Sequence, residues 1–183
     1  MSIVSDIEKL KKEKNAVILA HYYVDEDVQD VADYIGDSFY LSKVATKVSQ
    51  DRIIFAGVEF MGESAKILNP KKRVFMPDMN ADCPMAHMAD KDEILALREK
   101  YDDIAVVCYI NSTAELKKYS DVCVTSSNAV KIVKNLPNKN IFFIPDRNLG
   151  SYVAKQCPDK NFIFNNGCCP RHVVITKDMV LKA

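Results

Sequence analysis

The 183 residues carry 25 basic and 25 acidic side chains and are 48% hydrophobic. The balanced charge argues against a basic field for nucleic acid or an anionic membrane surface, and no apolar run approaches the roughly 20 residues that span a bilayer. Residues 1–15 are rich in Lys and Glu and hold no apolar signal core, so a soluble, cytoplasmic protein with no nucleic-acid or membrane partner is expected.

The charged stretch 9–14 reads as the solvated face of a helix. Beyond it, short β-branched and apolar runs predict strands over 16–20, 52–56, 73–76, 104–110, 122–124, 140–144 and 161–164. Amphipathic segments between them predict helices over 28–35, 40–48, 59–68, 91–100, 128–135 and 149–156. Strands that are apolar on both faces and separated by helices form parallel sheets covered on each side. The predicted class is α/β, built from three-layer α/β/α units with short parallel sheets.

A shift of 88 residues makes features recur. His21 falls on Tyr109, Asp33 on Asp121, Ser38 on Ser126, Gly62 on Gly150, and Asn69-Pro70 on Cys157-Pro158; Cys83-Pro84 returns as Cys169-Pro170 at a shift of 86. Agreement in order, spacing and context predicts a duplicated unit. The expected organisation is a first α/β unit over 1–88, a second over 89–175, and the start of a third over 176–183. The chain closes on Thr176 as a helix N-cap followed by one or two turns. So short a helix is marginal without a partner, and a chain cut before its third unit is expected.

The six cysteines are expected to be reduced thiols, since Cys168 and Cys169 are adjacent and no secretory signal precedes them. Cys108 and Cys123 lie inside apolar runs, where a buried thiol is ordinary. Cys83 and Cys169 differ: each follows an apolar strand in a polar loop and precedes a proline that fixes the turn. Two such loops from related units suit an iron–sulfur cluster held by thiolates. Cys168 lacks the proline and is expected to pack. A rival set of Cys83, His87, Cys169 and His172 is formally a zinc site, but its spacings differ and it contains no CxxC.

Two further groups fall at strand ends, where α/β proteins bind ligands. His21-Tyr22-Tyr23 and Tyr109-Ile110-Asn111 offer proton-handling and carbonyl-polarising side chains. Gly36-Asp37-Ser38 and Thr125-Ser126-Ser127-Asn128 offer helix caps or exposed N–H groups for a carboxylate or phosphate. There is no GxGxxG and no Walker lysine motif. Met76, Met79, Met85 and Met88 read as loop packing.

These motifs, together with the 26–33 segment, the 60–70 helix, Pro77-Asp78, the Pro145-Asp146-Arg147-Asn148-Leu149-Gly150 run and Cys169 through His172, resemble the quinolinate synthase family almost from end to end. The resemblance implies three similar α/β domains around a pseudo-threefold axis, of which this chain would hold two. It implies a [4Fe–4S] cluster with one iron open to substrate, for which Cys83 and Cys169 would be two of the ligands. Tyr23 and Tyr109 would handle protons and carbonyls, and His21, Ser38, Asn111, Ser126 and His172 would contact substrate. The implied reaction condenses iminoaspartate with dihydroxyacetone phosphate to quinolinate in NAD biosynthesis, with L-aspartate oxidase as the upstream supplier. The family's third cysteine, its His-Pro-Glu stretch and its Gly-Ser-Thr phosphate contact have no counterpart in the 183 residues, so the chain alone is expected to be inactive. His87 stands where many family members carry an acidic residue. The other function class open at this point is a non-catalytic metal- or anion-binding module made of two units.

Overall fold

A computed structural model describes residues 2–183. The chain forms two compact units, one running to Asp82 and the other from Cys83 onward. In the first, helix α1 (Ile3–Glu13) precedes strand β1 (Ala16–His21), α2 (Glu26–Asp30), β2 (Tyr34–Gly36), α3 (Ser38–Lys47), β3 (Arg52–Ala56), α4 (Glu59–Leu68) and β4 (Arg73–Phe75). In the second, a 3-10 turn (Pro84–His87) leads to α5 (Lys91–Lys100), β5 (Ile104–Tyr109), α6 (Ala114–Lys118), β6 (Val122–Val124), α7 (Ala129–Asn135), β7 (Asn140–Ile144), α8 (Arg147–Gln156), β8 (Asn161–Phe164) and α9 (Lys177–Lys182).

Each unit contains one four-stranded sheet. The orders are β2-β1-β3-β4 and β6-β5-β7-β8, and every pairing is parallel. The duplication extends to single hydrogen bonds. Asp33 accepts from the Ile18 N–H at 2.8 Å, and Asp121 accepts from the Val106 N–H at 2.7 Å. Lys72 Nζ donates to the Ala45 and Val48 carbonyls; Lys160 Nζ donates to those of Leu136 and Asn138. The Ala45, Val48 and Leu136 carbonyls lie in the last turn or at the C-cap of a helix, where otherwise orphaned acceptors need a donor, so each lysine ties a helix end to the loop before its unit's last strand.

The period-2 alternation of a doubly covered strand explains the core. In the second unit Ala105, Val107, Ile141 and Phe143 face α7 and α8, burying Val133, Val153 and Cys157. Ile104, Val106, Cys108, Phe142 and Ile144 face the other way, against Ile94 of α5 and Leu116 of α6. Adjacent Phe142 and Phe143 are both fully buried, so each contributes to a different face of the same sheet. Gly62 in α4 and Gly150 in α8 leave no room for a side chain: a Cβ on Gly62 would strike the Met76 sulfur, and one on Gly150 would meet Phe164 and Phe143 at 2.8 and 2.9 Å.

The helix expected over 28–35 is corrected. It stops at Asp30, and Tyr34–Gly36 instead forms edge strand β2. Asp33 redirects the chain: its N–H donates to the Ile18 carbonyl and its carboxylate accepts from the Ile18 N–H, which starts pairing with β1. Helix α6 was not anticipated; at five residues it is too short to show a period. The serines are also not the caps. Asp37 caps α3 by accepting from the Tyr40 N–H, which leaves Ser38 as the first helical residue, and Asn128 occupies the N-cap position of α7. No helix among the described residues is long and apolar enough to cross a membrane.

Candidate functional site

The first unit gathers His21, Tyr23 and Ser38 at the carboxyl edge of its sheet. His21 ends β1 in register with Gly36, the last residue of β2, and α3 opens two residues later at Ser38. The Tyr22 N–H donates to the Gly36 carbonyl at 3.3 Å, which turns the chain over this edge. The Tyr23 N–H then donates to His21 Nδ1 at 3.3 Å, and the two rings meet edge to face with centroids 4.5 Å apart. Since Nδ1 accepts, the neutral ring carries its proton on Nε2. Burial pushes the imidazole below its ordinary 6.5, against the opposing pull of the Asp37 carboxylate. His21 at neutral pH is therefore an uncharged donor through Nε2, with Tyr23, 82% exposed, beside it.

The second unit repeats the edge with different chemistry. Tyr109 ends β5 in register with Val124, and the Ile110 N–H donates to the Val124 carbonyl at 2.8 Å, the counterpart of the Tyr22–Gly36 bond. The Tyr109 carbonyl accepts from Ser112 Oγ at 2.8 Å; Ser112 is fully buried and fixes the turn that holds Asn111. Across the edge, the Thr125 N–H donates to Asn128 Oδ1 at 2.7 Å, and the Thr125 and Ser127 hydroxyls lie 2.9 Å apart. This compact turn carries Ser126, which is exposed.

The two proline-tailed cysteines have equivalent anchors. The Glu59 N–H at the start of α4 donates to the Ala81 carbonyl, and the Arg147 N–H at the start of α8 donates to the Gly167 carbonyl, both at 2.8 Å. Each accepting residue lies two positions before its cysteine, so the backbone equates Cys83 with Cys169 rather than with Cys168. Cys83 and Cys169 are half-buried thiols outside any disulfide within the second compact unit. The His172 and Val173 N–H groups both donate to the Cys169 carbonyl, at 3.1 and 3.0 Å, which places exposed His172 one turn beyond it.

Sequence reasoning missed Asn165, a buried side chain in the loop between β8 and Cys168. Its Nδ2 donates to the Met88 carbonyl at 2.9 Å, tying the loop of Cys169 to the end of the turn that Cys83 opens. Its Oδ1 is buried and accepts no hydrogen bond among the described residues. A polar residue four positions before a cysteine gave no periodic signal, and only the fold brings Met88 to it.

The sequence profile of the family described as "NadA: Quinolinate synthetase A protein" matches residues 5–183. A quinolinate synthase of Fusobacterium nucleatum is 62% identical over 176 residues, covering 96% of this chain and 59% of that protein. One of Caldicellulosiruptor saccharolyticus is 54% identical over 181 residues, covering 99% of this chain and 60% of that protein. One of Clostridium perfringens is 54% identical over 182 residues, covering 100% and 60%. The chain thus spans about three-fifths of the length of these relatives. With the profile matching nearly every residue over a duplicated α/β fold, the chain belongs to the quinolinate synthetase A family.

Proposed function

We propose that the protein takes part in quinolinate synthesis, condensing iminoaspartate with dihydroxyacetone phosphate, with L-aspartate oxidase supplying the imine. The observation that carries this reading is the 62% identity to a protein named quinolinate synthase over 96% of the chain.

The residues present fit a [4Fe–4S] cluster in donor chemistry. Cys83 and Cys169 are half-buried thiols outside any disulfide, on equivalent anchors, each followed by proline, and soft thiolates are the ligands such clusters take. Bound there, a cluster with an open iron supplies a Lewis acid for a substrate oxygen. The chain's own side chains do the rest. His21 donates from Nε2 to a carboxylate or carbonyl oxygen without adding a charge. Tyr23 can give up and recover its phenolic proton next to His21. Tyr109 and Asn111 polarise a carbonyl from the second edge. Ser38 and Ser126 offer hydroxyls to the anionic groups of substrates that carry carboxylates and phosphate, and His172 reaches the same substrates from beyond Cys169.

Anaerobic reconstitution of the protein containing this sequence, with iron and sulfide counting and a quinolinate assay, tests the reading. Loss of the four-iron signal in both Cys83→Ser and Cys169→Ser, with Cys168→Ser unaffected, is expected. A full iron count and undiminished turnover in Cys83→Ser and Cys169→Ser would refute it.

A further inference from the structure

Cys108 and Cys123 lie away from the cysteine loops and take no part in the chemistry above. Cys108 is on β5 and Cys123 on edge strand β6, and they are register partners in the parallel pairing. Neighbouring strands lie about 4.8 Å apart, inside the Cα separation a disulfide bridges, and register partners project to the same face. The two thiols are near enough for each to shift the other's ionisation. The single Cys108 S–H also has the Tyr109 carbonyl within reach at 3.4 Å. Cys108 is fully buried, whereas Cys123 is exposed.

We propose that Cys108 and Cys123 form a redox-active dithiol, which a low-molecular-weight disulfide converts to an intramolecular cross-strand disulfide. The division of labour follows from the environments. Cys123 is held down to about 7, first by the hydrogen bond from Cys108 and then by the Lys117 ammonium on α6, against its partial burial. Cys108 is held well up by the same pairing and by burial, although the Ser112 and Ser120 hydroxyls pull the other way. The exposed Cys123 is therefore the thiolate that attacks, and Cys108 is the resolving thiol.

In the first step the Cys123 thiolate bonds to one sulfur of the small disulfide RSSR. Its S–S bond breaks, and RS⁻ leaves and takes up the proton that Cys123 had released. In the second step Cys108 gives up its proton and bonds to Cys123 Sγ, breaking the mixed disulfide and expelling the other RS⁻, which that proton neutralises. Two protein thiols are oxidised by two electrons, and one RSSR is reduced to two RSH. The new bond removes the S–H that reaches the Tyr109 carbonyl, so oxidation is read at the strand end.

The test does not involve the cluster, so it stands or falls separately from the enzymatic reading. The full chain, iron-free and reduced, is titrated with glutathione disulfide, quenched with an alkylating agent, digested with trypsin without reduction and mapped by mass spectrometry. The two thiols fall in separate tryptic peptides, 101–117 and 119–131. The expected result is that these peptides become the first cross-linked pair and are released by dithiothreitol. Cys108→Ser should stop at a glutathione adduct on Cys123. Cys123→Ser, a change on an exposed edge strand, should leave Cys108 unmodified. If Cys108→Ser fails to fold by circular dichroism, the other two arms still decide. The proposal is overturned if peptides 101–117 and 119–131 stay reduced while other cysteines oxidise, if Cys123 links to a different cysteine, or if Cys108 takes up glutathione in Cys123→Ser.

Discussion

The two units share a topology and differ in how tightly one sheet face is covered. In the second, α5 drives Ile94 into a cluster with Ile104, Val106, Phe142 and Ile144, and Ile94 is fully buried. In the first, α1 occupies the same place in the element order but buries no residue. It leaves a groove of about 380 Å³ whose walls include Ile7, Leu10, Ile18, Ile54 and Phe75. Strand order and register therefore survive a loosely covered face. The strand pairing and the opposite face carry the architecture, and α1 adds comparatively little.

The largest effect that would sharpen this contrast is a truncation in each helix. Ile94→Ala should cost about 2–5 kcal/mol, the range for deleting a buried isoleucine's contacts. Ile7→Ala, at a site already lined by empty space, should cost about 1 kcal/mol or less. Urea unfolding followed separately through each unit would measure both. Equal losses would mean that α1 seals its sheet as firmly as α5.

The equivalent glycines come next. Gly150→Ala forces a methyl group against two aromatic rings that are themselves packed, so a loss of about 1–3 kcal/mol is expected. Gly62→Ala meets only the flexible Met76 side chain, which can swing aside. The roughly 1 kcal/mol gained in helix propensity should bring its net effect near zero. A Gly62→Ala loss as large as that of Gly150→Ala would show that Met76 is locked.

Smaller again are the paired aspartates. Asp33 holds Lys11 at 2.9 Å, with the lysine side chain 12% exposed; Asp121 holds Arg98 at 2.8 Å, with the arginine side chain 35% exposed. Replacing either by Asn keeps an acceptor for the strand N–H and removes the charge. A loss of about 1 kcal/mol is expected for Asp33→Asn and less for Asp121→Asn, since water screens the more open pair. Thermal unfolding at low and high salt checks this, and the reverse order would contradict it.

The repeat was legible because it is written in residues that topology requires: glycines at close approach, an aspartate that starts the edge strand, and a proline after the presented thiol. The apolar runs marked seven of the eight described strands, and the repeat spacing equated Cys83 with Cys169. Strand β2 was not legible, since its three residues, Tyr34–Gly36, show no period and the surrounding apolar residues mimic a helix. The capping roles fell to Asp37 and Asn128 because a helix start accepts any of several polar residues, and their neighbours Ser38 and Ser126 offered the same signal. Asn165 and the Cys108–Cys123 pair were invisible for another reason. Each depends on a contact between segments that only the folded sheet brings together.

The smallest effect separates the two strand ends by proton binding. Folding lowers the His21 midpoint through burial, partly offset by Asp37. As pH falls through 6.5, the unfolded chain protonates this imidazole before the folded chain does. The stability linked to His21 is therefore complete above 6.5, falls as the pH drops from there toward the folded midpoint, and levels off below it. The equivalent residue in the second unit is Tyr109, so that edge has no imidazole to titrate. In a ¹H–¹⁵N NMR titration the His21 ring should show Nδ1 as acceptor and Nε2 as donor, with a midpoint below 6.5. Asp37→Asn keeps an oxygen to cap α3 but removes the charge that favours the imidazolium, so it should move the midpoint further down. A wild-type midpoint at or above 6.5, or an upward shift in Asp37→Asn, would mean that burial does not hold the His21 ring in its neutral form.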